Sequence, residues 1–286
     1  MLNKTANQAQ YALLAHPAKH SLSPQIHNYG FKVNRLNAVY FVIDTNASGQ
    51  EVAREIRRQP LTGCNLSLPL KETILPELDA ISTSAQLIGA VNTVYNDNGR
   101  LIGENTDGTG LVADIKAHGV DLTQANILLL GGGATARAIL TALALTPVAS
   151  VTVLQRAHRP HYQQVEQLIK NLTPKTTTKL TCQPWQQVEQ LNWPQFNLLI
   201  NATSIGFGKL SDQAPLTRQQ LAHLQPTTKV WDVIYQPRQS QLLQQAAQLG
   251  LQTHNGLGML VRQAAGAFNF WTGKNLPVNE IESFLK

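Results

Sequence analysis

The sequence is short of cysteine, of charge and of long apolar runs, and each shortage removes a class of protein. Cys64 and Cys182 are the two cysteines among 286 residues. They lie in different segments with no partner at metal-ligand spacing, so they read as reduced thiols; neither a disulfide framework nor a metal site is expected. Charged residues amount to 14%. Gln and Asn take part of their place, and no like-charge block or polar tract marks a disordered segment. No apolar run approaches the roughly 18 residues of a membrane-crossing helix, and Met1 to Gln10 is polar, without the apolar core of a secretion signal. A soluble, cytoplasmic chain with no membrane partner is the expectation.

What is present points to a globular protein of two parts. A length of 286 residues with 43% hydrophobic content is enough to bury two medium cores. The net charge is +6. Lys and Arg are nevertheless scattered, Arg57-Arg58 being their one adjacent pair, so no nucleic-acid partner is expected. A mild positive field suits small anionic ligands such as carboxylates and phosphates.

Short apolar runs alternate with stretches of helical period. Tyr11–Ala15, Ala38–Ile43 and Cys64–Leu68 read as strands separated by helices, the order that produces a parallel sheet. Ala90–Tyr95 and Arg100–Gly103 add two strands joined by Asn96-Asp97-Asn98-Gly99, whose Asn-Gly ending is a turn signal. A helix at Gly108–His118 opens a second unit, with strands at Ile127–Leu130, Val151–Leu154, Lys179–Cys182, Phe196–Ile200 and Val230–Ile234. That rhythm belongs to a doubly wound sheet. Two helices, Leu257–Trp271 and Val278–Phe284, end the chain, the first stopped by Gly273. The fold class expected is α/β with two α/β domains.

Gly131-Gly132-Gly133-Ala134-Thr135-Ala136 follows a strand and opens a helix, which fits the dinucleotide fingerprint with Ala in its last position. The first glycine permits the turn, the second admits a pyrophosphate to the backbone, and Ala136 allows close helix packing. An NAD-binding unit places Asp or Glu about 20 residues further on, to hold the ribose hydroxyls. No carboxylate occurs here between Asp121 and Glu166. The relevant strand ends in Gln155-Arg156 with Arg159 behind it, and Arg137 lies on the glycine-turn helix. Guanidinium forks at those positions favour the 2′-phosphate of NADP; as surface arginines they would have no role.

In the first unit, Ser21-Leu22-Ser23-Pro24 precedes a helix and Ser67-Leu68-Pro69-Leu70-Lys71 ends a strand. Taken singly, the serines read as helix caps, Lys71 as an exposed lysine and Asp107 in Asn105-Thr106-Asp107-Gly108 as an N-cap. A lysine is nonetheless out of place at a helix start, where cations are disfavoured. Asn92-Thr93 fits a simple strand pair, and Asn201-Ala202-Thr203-Ser204, after the strand ending at Ile200, fits a turn as well as a cofactor crevice.

Together these segments resemble the shikimate dehydrogenase family over nearly the whole chain and in the family's order. The matches are Ser21 to Asn28, Gly63 to Lys71, Gly89 to Thr93, Asn105 to Gly108, Gly131 to Arg137, Asn201 to Ser204, Asp232 to Tyr235, and Asn255 to Leu260 followed by Gln263-Ala264-Ala265. The resemblance implies that residues 1–107, completed by 257–286, form a substrate-binding domain and that 108–256 form a Rossmann-like NADP-binding domain. It implies NADPH-dependent reduction of 3-dehydroshikimate to shikimate in the chorismate route, with quinate as an alternative substrate and NAD as an alternative cofactor, in a monomer or homodimer. A non-catalytic shikimate or dinucleotide sensor is the reading from another class, and Lys71 with Asp107 argues against it, because a binder needs no acid/base pair.

The family's motifs also imply the roles. Lys71 and Asp107 would be catalytic, while Ser21, Ser23, Ser67, Asn92, Tyr235 and Gln263 would bind substrate. The cofactor would meet Gly131, Gly132, Gly133, Ala134, Thr135, Ala136, Arg137, Gln155, Arg156, Arg159, Asn201, Thr203, Ser204, Ile234, Gly256 and Met259. The chain departs from the family pattern at Ala15 for Gly, Ser67 for Thr, and Gln155-Arg156-Ala157 for Asn-Arg-Thr. Ser67 keeps the hydroxyl and loses the methyl that stiffens its rotamer.

Overall fold

The computed structural model describes residues 8–18, 21–59 and 61–285. Met1 to Asn7, most of the segment read as signal-free, therefore lie outside the described residues. Among the described residues no helix is long and apolar enough to cross a membrane. The chain divides into two compact units, Met1–Gly110 with Val261–Lys286, and Leu111–Leu260.

The first unit begins β1 (Ala9–Ala15), α1 (Ser23–Val33), β2 (Ala38–Asp44), α2 (Gly49–Arg58), β3 (Leu61–Leu66) and α3 (Leu70–Thr73). It continues through β4 (Ala80–Ile81), α4 (Thr83–Ile88), β5 (Thr93–Asp97) and β6 (Arg100–Glu104). The sheet order is β2-β1-β3-β5-β6-β4. β2, β1 and β3 are parallel as expected, but β5 runs antiparallel to both β3 and β6, so the sheet is mixed. The reversal comes from a tight hairpin: Asn98 and Gly99 have φ of 53° and 93°, and two consecutive positive φ values match the twist of the flanking strands. Asn96 secures the turn, its Oδ1 accepting the Gly99 N–H at 2.8 Å. The strand expected at Cys64–Leu68 stops at Leu66, where the chain turns into α3. β4 is two residues long and carries no periodic signal.

Alternation along β1 separates two buried layers. Ala12 and Leu14 join Val52, Ile56, Leu66, Ile74, Val94 and Leu101 on one side. On the other, Tyr11 packs against Phe31 and Trp271 with ring centroids 5.1 and 4.9 Å apart. Trp271 also donates its indole N–H to the Val94 carbonyl at 2.9 Å, and a Cβ on Gly63 would stand 2.6 Å from that nitrogen. Gly63 is therefore a packing requirement of the tryptophan.

In the second unit the strands are β7 (Asn126–Leu130), β8 (Ser150–Gln155), β9 (Lys179–Pro184), β10 (Leu198–Asn201), β11 (Lys229–Asp232) and β12 (Gln252–His254). They alternate with α5 (Asp107–Ala117), α6 (Ala134–Ala144), α7 (Pro160–Leu172), α8 (Arg218–Leu221) and α9 (Gln241–Gln248). The order β12-β11-β10-β7-β8-β9 is parallel throughout. It is the doubly wound arrangement, with its topological switch between β7 and β8 on one side and β10 on the other. Ile127 to Leu130 have no exposed surface, which is why that run is apolar without alternation. β12, three residues with polar Gln252 and His254, carries no strand pattern.

α10 (Leu257–Thr272) and α11 (Val278–Leu285) close the chain, and α10, like α5, contributes residues to both units. Gly273 ends α10 at φ 66°, its N–H bonding the Asn269 carbonyl.

His27 lies fully buried in the aromatic layer, stacked on Tyr40 at 4.4 Å, and burial pulls its pKa from 6.5 down to about 3. Between those values the unfolded chain binds a proton that the folded chain refuses, so stability falls as pH falls through this window, by up to about 1.4 kcal/mol per pH unit. His27→Phe should remove that contribution. Urea unfolding at pH values from about 6.5 to 4 should show a flatter pH dependence for the variant than for the parent; parallel curves would show that His27 does not resist protonation.

Candidate active site

The mixed sheet gathers polar side chains at one edge. Asn65 pairs with Thr93 and Thr93 with Glu104, so the end of β3, the start of β5 and the end of β6 coincide there. The residues just beyond, Ser67 to Lys71, Asn92, and Asn105 to Asp107, are thereby brought together from three distant stretches of chain.

Lys71 and Asp107 are its centre. Lys71 Nζ lies 2.5 Å from Asp107 Oδ2, with side-chain exposures of 13% and 7%. Asn92 donates from Nδ2 to Asp107 Oδ1 at 2.8 Å and to Thr106 Oγ1 at 3.0 Å, while its Oδ1 accepts the Thr106 N–H at 2.9 Å. Asn105 Oδ1 receives the Asp107 N–H at 3.1 Å. Both oxygens of Asp107 are thus engaged by side chains from other segments, a demand that a simple helix cap does not make.

Gln263 reaches this cluster from α10, its Oε1 3.3 Å from Asn92 Nδ2. Gly110 makes the approach possible, since a Cβ there would lie 2.7 Å from the Gln263 backbone nitrogen. Beneath the cluster, Asn65 Nδ2 donates to the Asn92 carbonyl and to Thr93 Oγ1, both at 3.1 Å, and Tyr40 donates to Asn65 Oδ1 at 2.8 Å. Sequence reasoning assigned no role to Asn65, Asn105 or Thr106. A buried amide within the apolar run of β3 was the available signal for Asn65, and for the other two it was their place directly before Asp107.

Ser23 is the first residue of α1 and is buried, while Leu22 holds the cap position without a side-chain hydrogen bond. The Ser21 hydroxyl accepts the Ser23 N–H at 3.2 Å and lies 3.1 Å from the Ser23 hydroxyl. The two hydroxyls therefore stand side by side in the segment between β1 and α1. Ser67 follows β3 directly, its N–H bonded to the Leu14 carbonyl.

The second unit carries the glycine turn. Gly131 has φ 105°, and a Cβ there would lie 3.1 Å from the Ala202 carbonyl oxygen and from Thr203 Cγ2. Gly132 is similarly close to Gln155 and Val165, whereas Gly133 faces open space as the N-cap of α6, with no side chain capping the helix. Ala134, Thr135 and Ala136 form the first turn of α6. This turn suits a pyrophosphate: the backbone approaches closely, and the positive helix end is left to an outside anion.

Arg137 differs from the sequence expectation. It is buried, and its Nη1 donates to the Gly132 carbonyl at 3.1 Å and to Gln164 Oε1 at 2.8 Å, so it braces the turn from within. Arg156 and Arg159 are exposed beyond the buried Gln155 at the end of β8. On the far side of the switch, Asn201 is fully buried and its Oδ1 accepts the Thr203 N–H at 3.0 Å and hydroxyl at 2.7 Å. Ser204 is exposed. Ile234 is buried, Tyr235 is half-buried with its phenol pKa raised by burial, and the Gly256 N–H bonds the Ile234 carbonyl. A Cβ on Gly256 would collide with the Val233 carbonyl, 1.9 Å away. Met259 is buried on α10. The sequence reading also gave no role to Asp232 and Ser240, whose buried contact no spacing rule marks.

Residues 13–94 match the family model described as shikimate dehydrogenase substrate binding domain, and residues 256–283 match the shikimate 5′-dehydrogenase C-terminal domain. The chain is 38% identical over 273 residues to a shikimate dehydrogenase (NADP(+)) of Streptococcus pneumoniae, covering 94% of this chain and 93% of that protein. The shikimate 5-dehydrogenase of Listeria monocytogenes, solved with shikimate and NAD, is 34% identical, with a TM-score of 0.88 over 100% of this chain and 99% of that one. The 5-ketofructose reductase of a Gluconobacter species is also similar, at 33% identity and a TM-score of 0.83, with 98% of each chain covered. On this identity and coverage, together with the two domain models, the chain belongs to the shikimate dehydrogenase family.

Proposed function

We propose that this chain is an NADP-dependent shikimate dehydrogenase, reversibly reducing 3-dehydroshikimate to shikimate in the route to chorismate and the aromatic amino acids. The observation that carries the reading is the largely buried Lys71–Asp107 pair, 2.5 Å apart and held by Asn92. A site that only bound its ligand would gain nothing from an ammonium and a carboxylate kept from water at that cost.

The dinucleotide, when bound, supplies the hydride for reduction. Lys71 Nζ then delivers a proton to the oxygen that becomes the hydroxyl, and takes it back in the reverse direction. Asp107 orients that ammonium and accepts from the substrate hydroxyl. Ser21 and Ser23 donate to the substrate carboxylate, where hydrogen bonds to a charged acceptor are roughly twice as strong as neutral ones. Ser67, Asn92, Tyr235 and Gln263 complete the substrate contacts.

Residues 1–107 with 257–286 serve as the substrate-binding domain, and 108–256 as the Rossmann-like NADP-binding domain. The pyrophosphate belongs on Gly131 to Ala136, and the 2′-phosphate on Arg156 and Arg159, with Gln155 in place of the acid that would select NAD. Arg137 contributes by holding the turn. Asn201, Thr203, Ser204, Ile234, Gly256 and Met259 line the remainder. The same reading places the enzyme in the cytoplasm, as a monomer or homodimer whose ligands are small molecules.

Lys71→Ala should lower kcat by at least about 100-fold, the low end for a positioned acid/base group, with a smaller change in shikimate KM. Steady-state assays that found the variant as fast as the parent would end the catalytic assignment. With cofactor varied at fixed shikimate, kcat/KM should favour NADP over NAD, and Arg156→Asp should move the preference toward NAD by repelling the phosphate; a parent that prefers NAD contradicts the arginine assignment. Shikimate should exceed quinate by at least about tenfold in kcat/KM, equivalent to about 1.4 kcal/mol, because quinate's extra hydroxyl beside the carboxylate must find a partner near Ser21 and Ser23. Equal or faster quinate turnover would reassign the substrate and leave the hydride chemistry in place.

A further inference from the structure

Asp232, the last residue of β11, is fully buried, and the donors that meet its carboxylate are all neutral. Asn201 Nδ2 and the Ile234 N–H donate to Oδ1 at 3.0 and 3.1 Å, and the Ser240 hydroxyl donates to Oδ2 at 2.5 Å. Burial raises the carboxyl pKa to about 6, against the pull of these hydrogen bonds. A buried acid without a cation costs free energy that an apolar residue would not, so its position points to a need for two acceptor oxygens.

The donors lie at and beyond the ends of β10 and β11, and β10 neighbours the strand that leads into the glycine turn. Asn201, fixed by Asp232, holds Thr203 through its own Oδ1, and Thr203 Oγ1 in turn accepts the Ile205 N–H at 3.2 Å. Thr203 Cγ2 packs against Gly131. On the other side, the bond to the Ile234 N–H fixes the backbone immediately before Tyr235. Gly206, at φ 106°, completes the contact, since a Cβ there would meet Ile234 Cδ1 at 3.2 Å and Ser240 Cβ at 3.3 Å. One carboxylate therefore connects the turn, residues 201–206 and residues 234–240.

We propose that Asp232 is a positioning residue for the dinucleotide: acting through Asn201 and Ile234, its carboxylate holds residues 201–206 and 234–235 in the shape that receives the cofactor. This rests on the reading of the second unit as the NADP-binding domain. Asparagine at 232 would be nearly the same size with a single acceptor oxygen. Its amide fits on the Oδ2 side once the Ser240 hydroxyl turns from donating to accepting, so asparagine can keep the bonds to Asn201 and Ile234, whereas alanine removes both acceptors.

The test is calorimetric titration of the intact chain with NADP, beside steady-state kinetics. Asp232→Ala should weaken NADP binding by at least about tenfold while kcat at saturating NADP stays within about threefold of the parent. A purely structural role would lower the melting temperature and leave the Kd of the folded protein unchanged, and that result overturns the proposal. If Asp232→Ala does not fold, Ser240→Ala reads the same carboxylate through the loss of one donor, and NADP binding should weaken by at least about threefold; unchanged binding overturns the proposal equally. A parent chain that binds neither NADP nor NAD would refute the cofactor reading itself, and this proposal with it.

Discussion

An ammonium and a carboxylate withdrawn from water must recover in mutual attraction and hydrogen bonding what they lose in hydration, a penalty of several kcal/mol for each ion. The Lys71–Asp107 pair meets that requirement through Asn92, which occupies the second oxygen of Asp107, and through Asn105, which fixes the backbone beneath it. Much of the first unit follows from this constraint. The antiparallel β5–β6 hairpin brings Asn92 and Asp107 to the edge where β3 delivers Lys71, and Gly110 lets α10 come close enough for Gln263 to join them.

The second unit solves a different problem, that of keeping a backbone surface open to an anion. Its parallel strands end together, and the groups around the switch are buried polar side chains that bind backbone instead of solvent. Arg137 supports the glycine turn from inside, and Asn201 with Asp232 supports the neighbouring strand ends. The exposed cations Arg156 and Arg159 stand at the end of β8, so a positive charge is presented where the sequence has no acid to oppose it.

Much was legible in the sequence because it is local. The strands of the second unit follow from runs such as Ile127 to Leu130, which only a sheet covered on both faces can bury. The glycine turn follows from residues adjacent in the chain, and the Lys71–Asp107 pair from motifs whose order the family shares. β4 and β12 leave no mark in the sequence because strands of two or three residues have no period. The antiparallel direction of β5 depends on a hairpin whose strands must also pair with β3, a long-range choice.

By itself the sequence determined the α/β class, the two-part organisation, the residue types available for chemistry and the absence of an acid after the glycine turn, since each is a property of short stretches. Tertiary structure decided how those residues are used. Arg137 and Arg156 are the same side chain in sequence, yet one is buried against the Gly132 carbonyl and the other is exposed. Asp107 and Asp232 are both carboxylates at strand or helix ends, yet one faces an ammonium and the other three neutral donors. Burial and partners fix the energy of a charge, and both are set by chain segments far apart in sequence, which only the folded sheet edges bring into contact.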